Sequence, residues 1–146
     1  MLTKSDIEEA FRKVVEALGK NDSTEIMMAL NDFQSLMLSL GSAKRNSLYF
    51  LLGDAAGTLS YHLKEMYSRF VPGVAPKEIL QSAISWVKST TSKVQKSLNV
   101  IRKEIGKEEP DYKAILEAIG EIYINSYDLY KFGAAYVLPS EVPSET

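Results

Sequence analysis

Eight apolar or small residues, Ile79, Ala83, Val87, Thr90, Val94, Leu98, Ile101 and Ile105, follow one another at steps of 4, 4, 3, 4, 4, 3 and 4. That run completes about seven turns at the α-helical period, so it predicts one uninterrupted amphipathic helix. Pro76 stands at its first turn, where a missing N–H costs nothing, and Gly106 ends it. At 1.5 Å per residue the helix is ~45 Å long. A compact domain of this length has a radius of gyration of only roughly 15 Å. The chain is therefore expected to be elongated, or to let this helix project beyond its neighbours.

Four further helices are predicted from stripes and caps. The first runs from about Ser5 to Leu18, with Ser5 and Glu8 at capping-box spacing, the stripe Ile7, Ala10, Phe11, Val14 and Leu18, and Gly19 as a left-handed stop. The second opens on Asp22 and Glu25, carries Ile26, Leu30, Phe33, Met37 and Leu40, and closes at Gly41. A third is predicted from near Ser42 to about Phe70, before Val71-Pro72-Gly73. Its wide stripe (Leu48, Leu51, Leu52, Ala55, Ala56, Leu59, Leu63 and Met66) marks it as the central, most buried helix. The fifth starts at Pro110 and presents Ile115, Ile119, Ile122, Ser126, Leu129, Gly133 and Tyr136 on one side. Pro139 ends it. No segment alternates polarity at the period of a strand. The expected fold is all-α, an elongated antiparallel bundle of about five helices in one domain over residues 1–139, with a polar, disordered tail at 140–146.

The 146 residues include no cysteine, which removes disulfides, thiolate zinc sites, iron–sulfur clusters and a cysteine nucleophile. The opening Met1-Leu2-Thr3-Lys4-Ser5-Asp6 lacks the apolar core of a signal peptide. The apolar stretch from Asn46 to Leu63 contains Asp54 and is too short to span a bilayer. An intracellular, cytoplasmic chain without membrane contact is the expectation.

No nucleophile elbow, phosphate loop or dinucleotide fingerprint is present, so catalysis is not expected and no cofactor is implied. His62, the one histidine, and Glu65 share a helix face. A metal centre in a helical bundle needs several carboxylates and Glu-x-x-His pairs, which this chain lacks, so no metal is expected and the pair reads as partly exposed surface. Asp54 is the most unusual residue, an acid inside Leu51-Leu52-Gly53-Asp54-Ala55-Ala56-Gly57. Read as buried, it must be paired, hydrogen-bonded or shifted in pKa. It is then a ligand-binding or proton-handling acid, a cap where Gly53 breaks the helix, or half of a buried ion pair. Asp54 and His62 together define a small-molecule or enzymatic reading of the bundle. Gly53 and Gly57, four apart, predict a close helix crossing.

Two surfaces suggest partners. Tyr123, Tyr127 and Tyr130 lie at steps of four and three on the fifth helix; they read either as an exposed cluster of the kind that favours interfaces or as tyrosines half-buried at the bundle edge. Charge is also uneven: residues 72–107 carry a net +5, residues 108–146 a net −6 and residues 1–37 a net −3. The fourth helix concentrates Lys88, Lys93, Lys96, Arg102, Lys103 and Lys107 among Ser89, Thr91, Ser92, Ser97 and Asn99. Lysines among small hydroxyls suit phosphate contacts. The same face also suits an acidic first or fifth helix, of its own chain or of another copy, and a plain solvated lysine face is the third reading. In size and all-helical character the chain is similar to the small helical subunits of archaeal CRISPR effector complexes. The likeness is one of shape, and it implies a nucleic-acid-contacting subunit of a ribonucleoprotein. The reading from the residues themselves is a non-catalytic scaffold or interaction subunit, with a protein partner or a homo-oligomer as its assembly and nucleic-acid backbone as the alternative.

Overall fold

A computed structural model describes residues 2–20 and 22–136 and shows a bundle of five helices. They are α1 (Lys4–Leu18), α2 (Ser23–Lys44), α3 (Ser47–Arg69), α4 (Lys77–Ile105) and α5 (Tyr112–Ala135). No strand occurs among the described residues. The expected tail at 140–146 lies outside them.

Helix ends follow local hydrogen-bonding chemistry, at positions that differ from the sequence reading. Thr3 caps α1 two residues early, in a reciprocal box with Asp6, so the expected Ser5–Glu8 box does not form. A threonine in extended conformation ahead of Asp6 satisfies the same free N–H groups first. Gly19 does end α1, but in a right-handed conformation (φ −81°). Asp22 caps α2 as expected, accepting from the N–H groups of Thr24 and Glu25 at 3.0 and 3.2 Å. Gly41 does not close α2. The helix runs on to Lys44, and Arg45 takes the left-handed conformation (φ 50°). Asn46 then donates its N–H to the Gly41 carbonyl and caps α3 with its side chain. Helix α5 likewise begins at Tyr112, with Asp111 rather than Pro110 at its cap.

The predicted stripes turn inward on all five helices, except that Leu51 of the third and Tyr136 of the fifth are exposed. Phe11, Phe33, Met37, Leu59, Leu63, Ile101, Ile119 and Leu129 belong to one continuous cluster drawn from all five helices. The neighbours form a ring in the order α1, α2, α3, α5, α4 and back to α1. Directions follow from named contacts. Asn31 meets Ser60 while Gly41 meets Phe50, so α2 and α3 are antiparallel. Val15 accepts from Gln95 and Gly106 accepts from Lys4, so α1 and α4 are antiparallel too. Helices alternating in direction cannot close a five-membered ring without one parallel pair. That pair is α3 and α5: Asp54 meets Tyr123, His62 meets Tyr127, and Arg69 donates to the Gly133 carbonyl.

Gly53 and Gly57 sit at the α2–α3 crossing. A Cβ on Gly53 would lie 3.0 Å from Leu38 and 3.3 Å from the Gln34 carbonyl, and one on Gly57 would collide with the Gln34 amide. The small-residue pair thus allows close backbone approach within the bundle. Helix α3 continues through Gly53 without a break, so Asp54 caps nothing.

Helix α1 has 15 residues against 29 for α4. Its polar contacts with α4 and the turn that follows run from Gln95 to Gly106. Over the opening turns of α4, Ala83, Ile84 and Val87 face Met66, Tyr67 and Phe70 across a groove of about 280 Å³ with no fifth helix above it. The long helix therefore outruns its shortest neighbour.

Candidate functional site

The parallel pairing of α3 with α5 creates the most distinctive surface of the molecule. His62 is 8% exposed and has three tyrosine rings around it: Tyr61 at 5.2 Å, Tyr127 at 5.4 Å and Tyr130 at 5.6 Å between centroids. Those tyrosines are themselves open to solvent, at 61, 51 and 58%. The expected partly exposed histidine is thus a buried one, because α5 lays two rings over it. Burial pushes its pKa below the usual value of 6.5, partly opposed by the nearby Glu65 carboxylate.

That shift has a thermodynamic consequence. The unfolded chain takes up a proton at His62 near its ordinary pKa, whereas the folded chain resists it. Between the two values the unfolded state holds more protons, so stability rises with pH and falls on acidification. The thermal midpoint is expected to drop when pH is lowered from about 7.5 to about 5.5, and His62→Phe should flatten that part of the profile. An unchanged slope in the variant would show that His62 does not carry it.

Asp54 is exposed, not buried, which corrects the sequence reading. The apolar residues around it face inward on other sides of α3, while Asp54 lies on the outer side with Tyr61 and Glu65, at steps of seven and four. No ion pair among the described residues holds it. Its carboxylate accepts from the Tyr123 hydroxyl at 2.5 Å, with the Leu51 carbonyl 3.4 Å from the same hydroxyl. Burial and the Asp54 charge both raise the Tyr123 pKa, so the phenol stays protonated and keeps donating. Tyr123 is the anchored member of its row; Tyr127 and Tyr130 are the open ones.

A cavity of about 240 Å³ lies beside His62, bordered by Glu65, Met66, Arg69, Leu129 and Gly133. Asp54 is not among its lining residues, so the structure does not bring Asp54 and His62 into one pocket. No group of three potential metal ligands occurs among the described residues.

The second surface is the outer side of α4. Lys88, Lys93, Lys96 and Lys103 are exposed, and none forms an ion pair among the described residues. Arg102 and Lys107 differ: Arg102 approaches Glu8 at 3.9 Å, and Lys107 bonds Glu104 at 2.6 Å. Glu104 also accepts from the Asp111 N–H at 3.0 Å, so Lys107 belongs to the α4–α5 corner rather than to a free face. Of the small polar side chains interleaved with the lysines, Thr91 and Ser97 are buried, while Ser89, Ser92 and Asn99 are exposed. Lys93, Lys96, Val100 and Lys103 recur at steps of three and four, a single outward stripe.

The sequence reading missed Tyr61 as a member of the aromatic face, although its seven-residue step from Asp54 was available as a signal. It also missed Trp86. That indole stacks on Phe132 at 5.4 Å and, with Tyr136, borders an open groove between α4 and α5. No helix of the described residues is long and apolar enough to cross a membrane. The chain matches no protein-family model, no curated protein and no solved structure.

Proposed function

We propose that this chain is a non-catalytic interaction subunit that docks a protein partner on the aromatic side shared by α3 and α5. The observation carrying this reading is the cluster of Tyr61, Tyr127 and Tyr130, each more than half exposed yet packed against the ring of His62. Tyrosines offer large amphipathic contact area with few torsions to immobilise, and here those torsions are already restrained by ring packing. Restraint before binding lowers the entropy lost on association. The surrounding carboxylates favour a cationic partner, because a cation over a tyrosine face gains from the ring quadrupole.

Contact with nucleic-acid backbone through α4 is the less favoured reading. Its support is the four lysines without carboxylate partners. Against it, the adjacent helix α5 carries Glu117, Glu121 and Asp128, and the whole chain has a net charge of −2. Neighbouring helices lie about 10 Å apart, comparable to the screening length near 0.1 M salt, so those acids weaken the field that phosphates would meet.

Affinity capture from extracts of the source cells tests the docking reading. Wild-type protein is expected to retain a partner that the double variant Tyr127→Ala/Tyr130→Ala loses by at least about 10-fold, the usual consequence of removing interface tyrosines. Equal retention by a folded double variant would contradict it.

A further inference from the structure

We infer that the partner of the aromatic face is a second copy of this chain, whose α4 lysine stripe seats on the α3–α5 surface. The inference rests on the docking reading and names its partner.

Two surfaces of the same chain lack internal partners of opposite sign. On α4, Lys88, Lys93, Lys96 and Lys103 have no carboxylate within ion-pair distance among the described residues. On the α3 side of the seam, the exposed Glu65 has no cation within that distance among the described residues, and Asp54 accepts from the Tyr123 hydroxyl. By contrast, the acids of α1 are already engaged: Arg12 bridges Glu9 and Glu16, and Glu8 approaches Arg102. The lysine stripe and the acids of the aromatic seam therefore lie on different helices, one stripe on α4 and one face along α3.

Their dimensions agree. Asp54 and Glu65 are 11 residues apart on one side of α3, about 16 Å along the axis. Lys93 and Lys103 span ten residues of α4, about 15 Å. Between them Val100, 44% exposed, gives the stripe an apolar centre. Tyr61 from α3 and Tyr127 and Tyr130 from α5 stand along the α3–α5 seam, so a third helix laid there brings Val100 onto aromatic rings. Lysine stems can cross the rings while their ammonium groups reach the acids. This is the helix-in-groove mode of recognition, with charge setting the register.

The two surfaces share no residue, so every copy carries one of each. Contact is head-to-tail, and it propagates into a ring if the rotation closes and a filament if it does not.

Light scattering across a concentration series, at low and at about 1 M salt, reads the assembly directly. Wild-type protein is expected to show at least a two-fold rise in mass at low salt and to return to the monomer at high salt, where the screening length is about 3 Å. Lys93→Glu/Lys96→Glu and Asp54→Lys/Glu65→Lys should each stay monomeric alone. All four positions are exposed, so folding is preserved and is checked by circular dichroism. Mixing the two variants should restore assembly, since the reversed stripe of one matches the reversed face of the other. A wild-type monomer at every concentration, or a mixture that fails to assemble, would overturn the inference. So would a monomer that binds an oligonucleotide through Lys93 and Lys96. In those cases the capture experiment with the tyrosine variant still stands or falls separately, which distinguishes a wrong partner from a wrong face.

Discussion

Phe11→Ala is expected to cost about 3–5 kcal/mol of stability, a fall of roughly 10–20 °C in thermal midpoint for a chain of this size. Phe11 has no solvent exposure and meets Phe33 edge-on at 5.1 Å, the ring contact that joins α1 to α2. Helix α1 is the shortest of the five, and Ile7, Phe11, Val14, Ala17 and Leu18 are its buried residues. Deleting the largest of them leaves a cavity that four small or aliphatic neighbours cannot fill. Amide exchange should accelerate first in α1 and in the half of α4 it covers, with the α3–α5 seam opening later. Chemical unfolding checks the magnitude: the midpoint moves and the slope stays, as for a stability change without a change in denatured compactness.

Leu59→Ala should cost about 2–5 kcal/mol, by the same combination of lost transfer energy and residual cavity. Leu59 is fully buried in α3, the helix that touches α2, α4 and α5. The matched control is Ile124→Ala. Ile124 is 55% exposed on α5, so truncating it should change stability by no more than about 0.5 kcal/mol. Comparable losses in the two variants would mean that the core is not centred on α3.

What was legible in the chain is what repetition makes legible. The stripe of α2 is buried residue for residue from Ile26 to Leu40, and that of α5 from Ile115 to Gly133 with its last member Tyr136 exposed, because a helix period leaves little freedom in which side turns inward. Ends were harder. Gly41 has the residue type of a stop, but it lies inside α2 because the Phe50 ring packs where its side chain would be. The actual break falls at Arg45, a residue with no turn signature.

The functional surface was half legible. Tyr127 and Tyr130 share a face by spacing alone. His62 became a buried ring for a reason outside local sequence: α5 packs parallel to α3, with all of α4 between them in the chain. A run of apolar residues suggested that Asp54 was interior, yet one outward position per turn is enough to keep a carboxylate in water. The α4 lysines were legible as charge but not as free or engaged, since Arg102 and Lys107 differ from Lys93 and Lys96 only in what α1 and the α4–α5 corner place beside them.

Hydroxyl-radical footprinting of the assembled and the diluted protein reads the aromatic face most directly. Protection on assembly is expected at Tyr61, Tyr127 and Tyr130, with Val100 of α4 protected in step. Protection confined to the outer sides of α1 and α2, with those three tyrosines as reactive as in the monomer, would contradict the account.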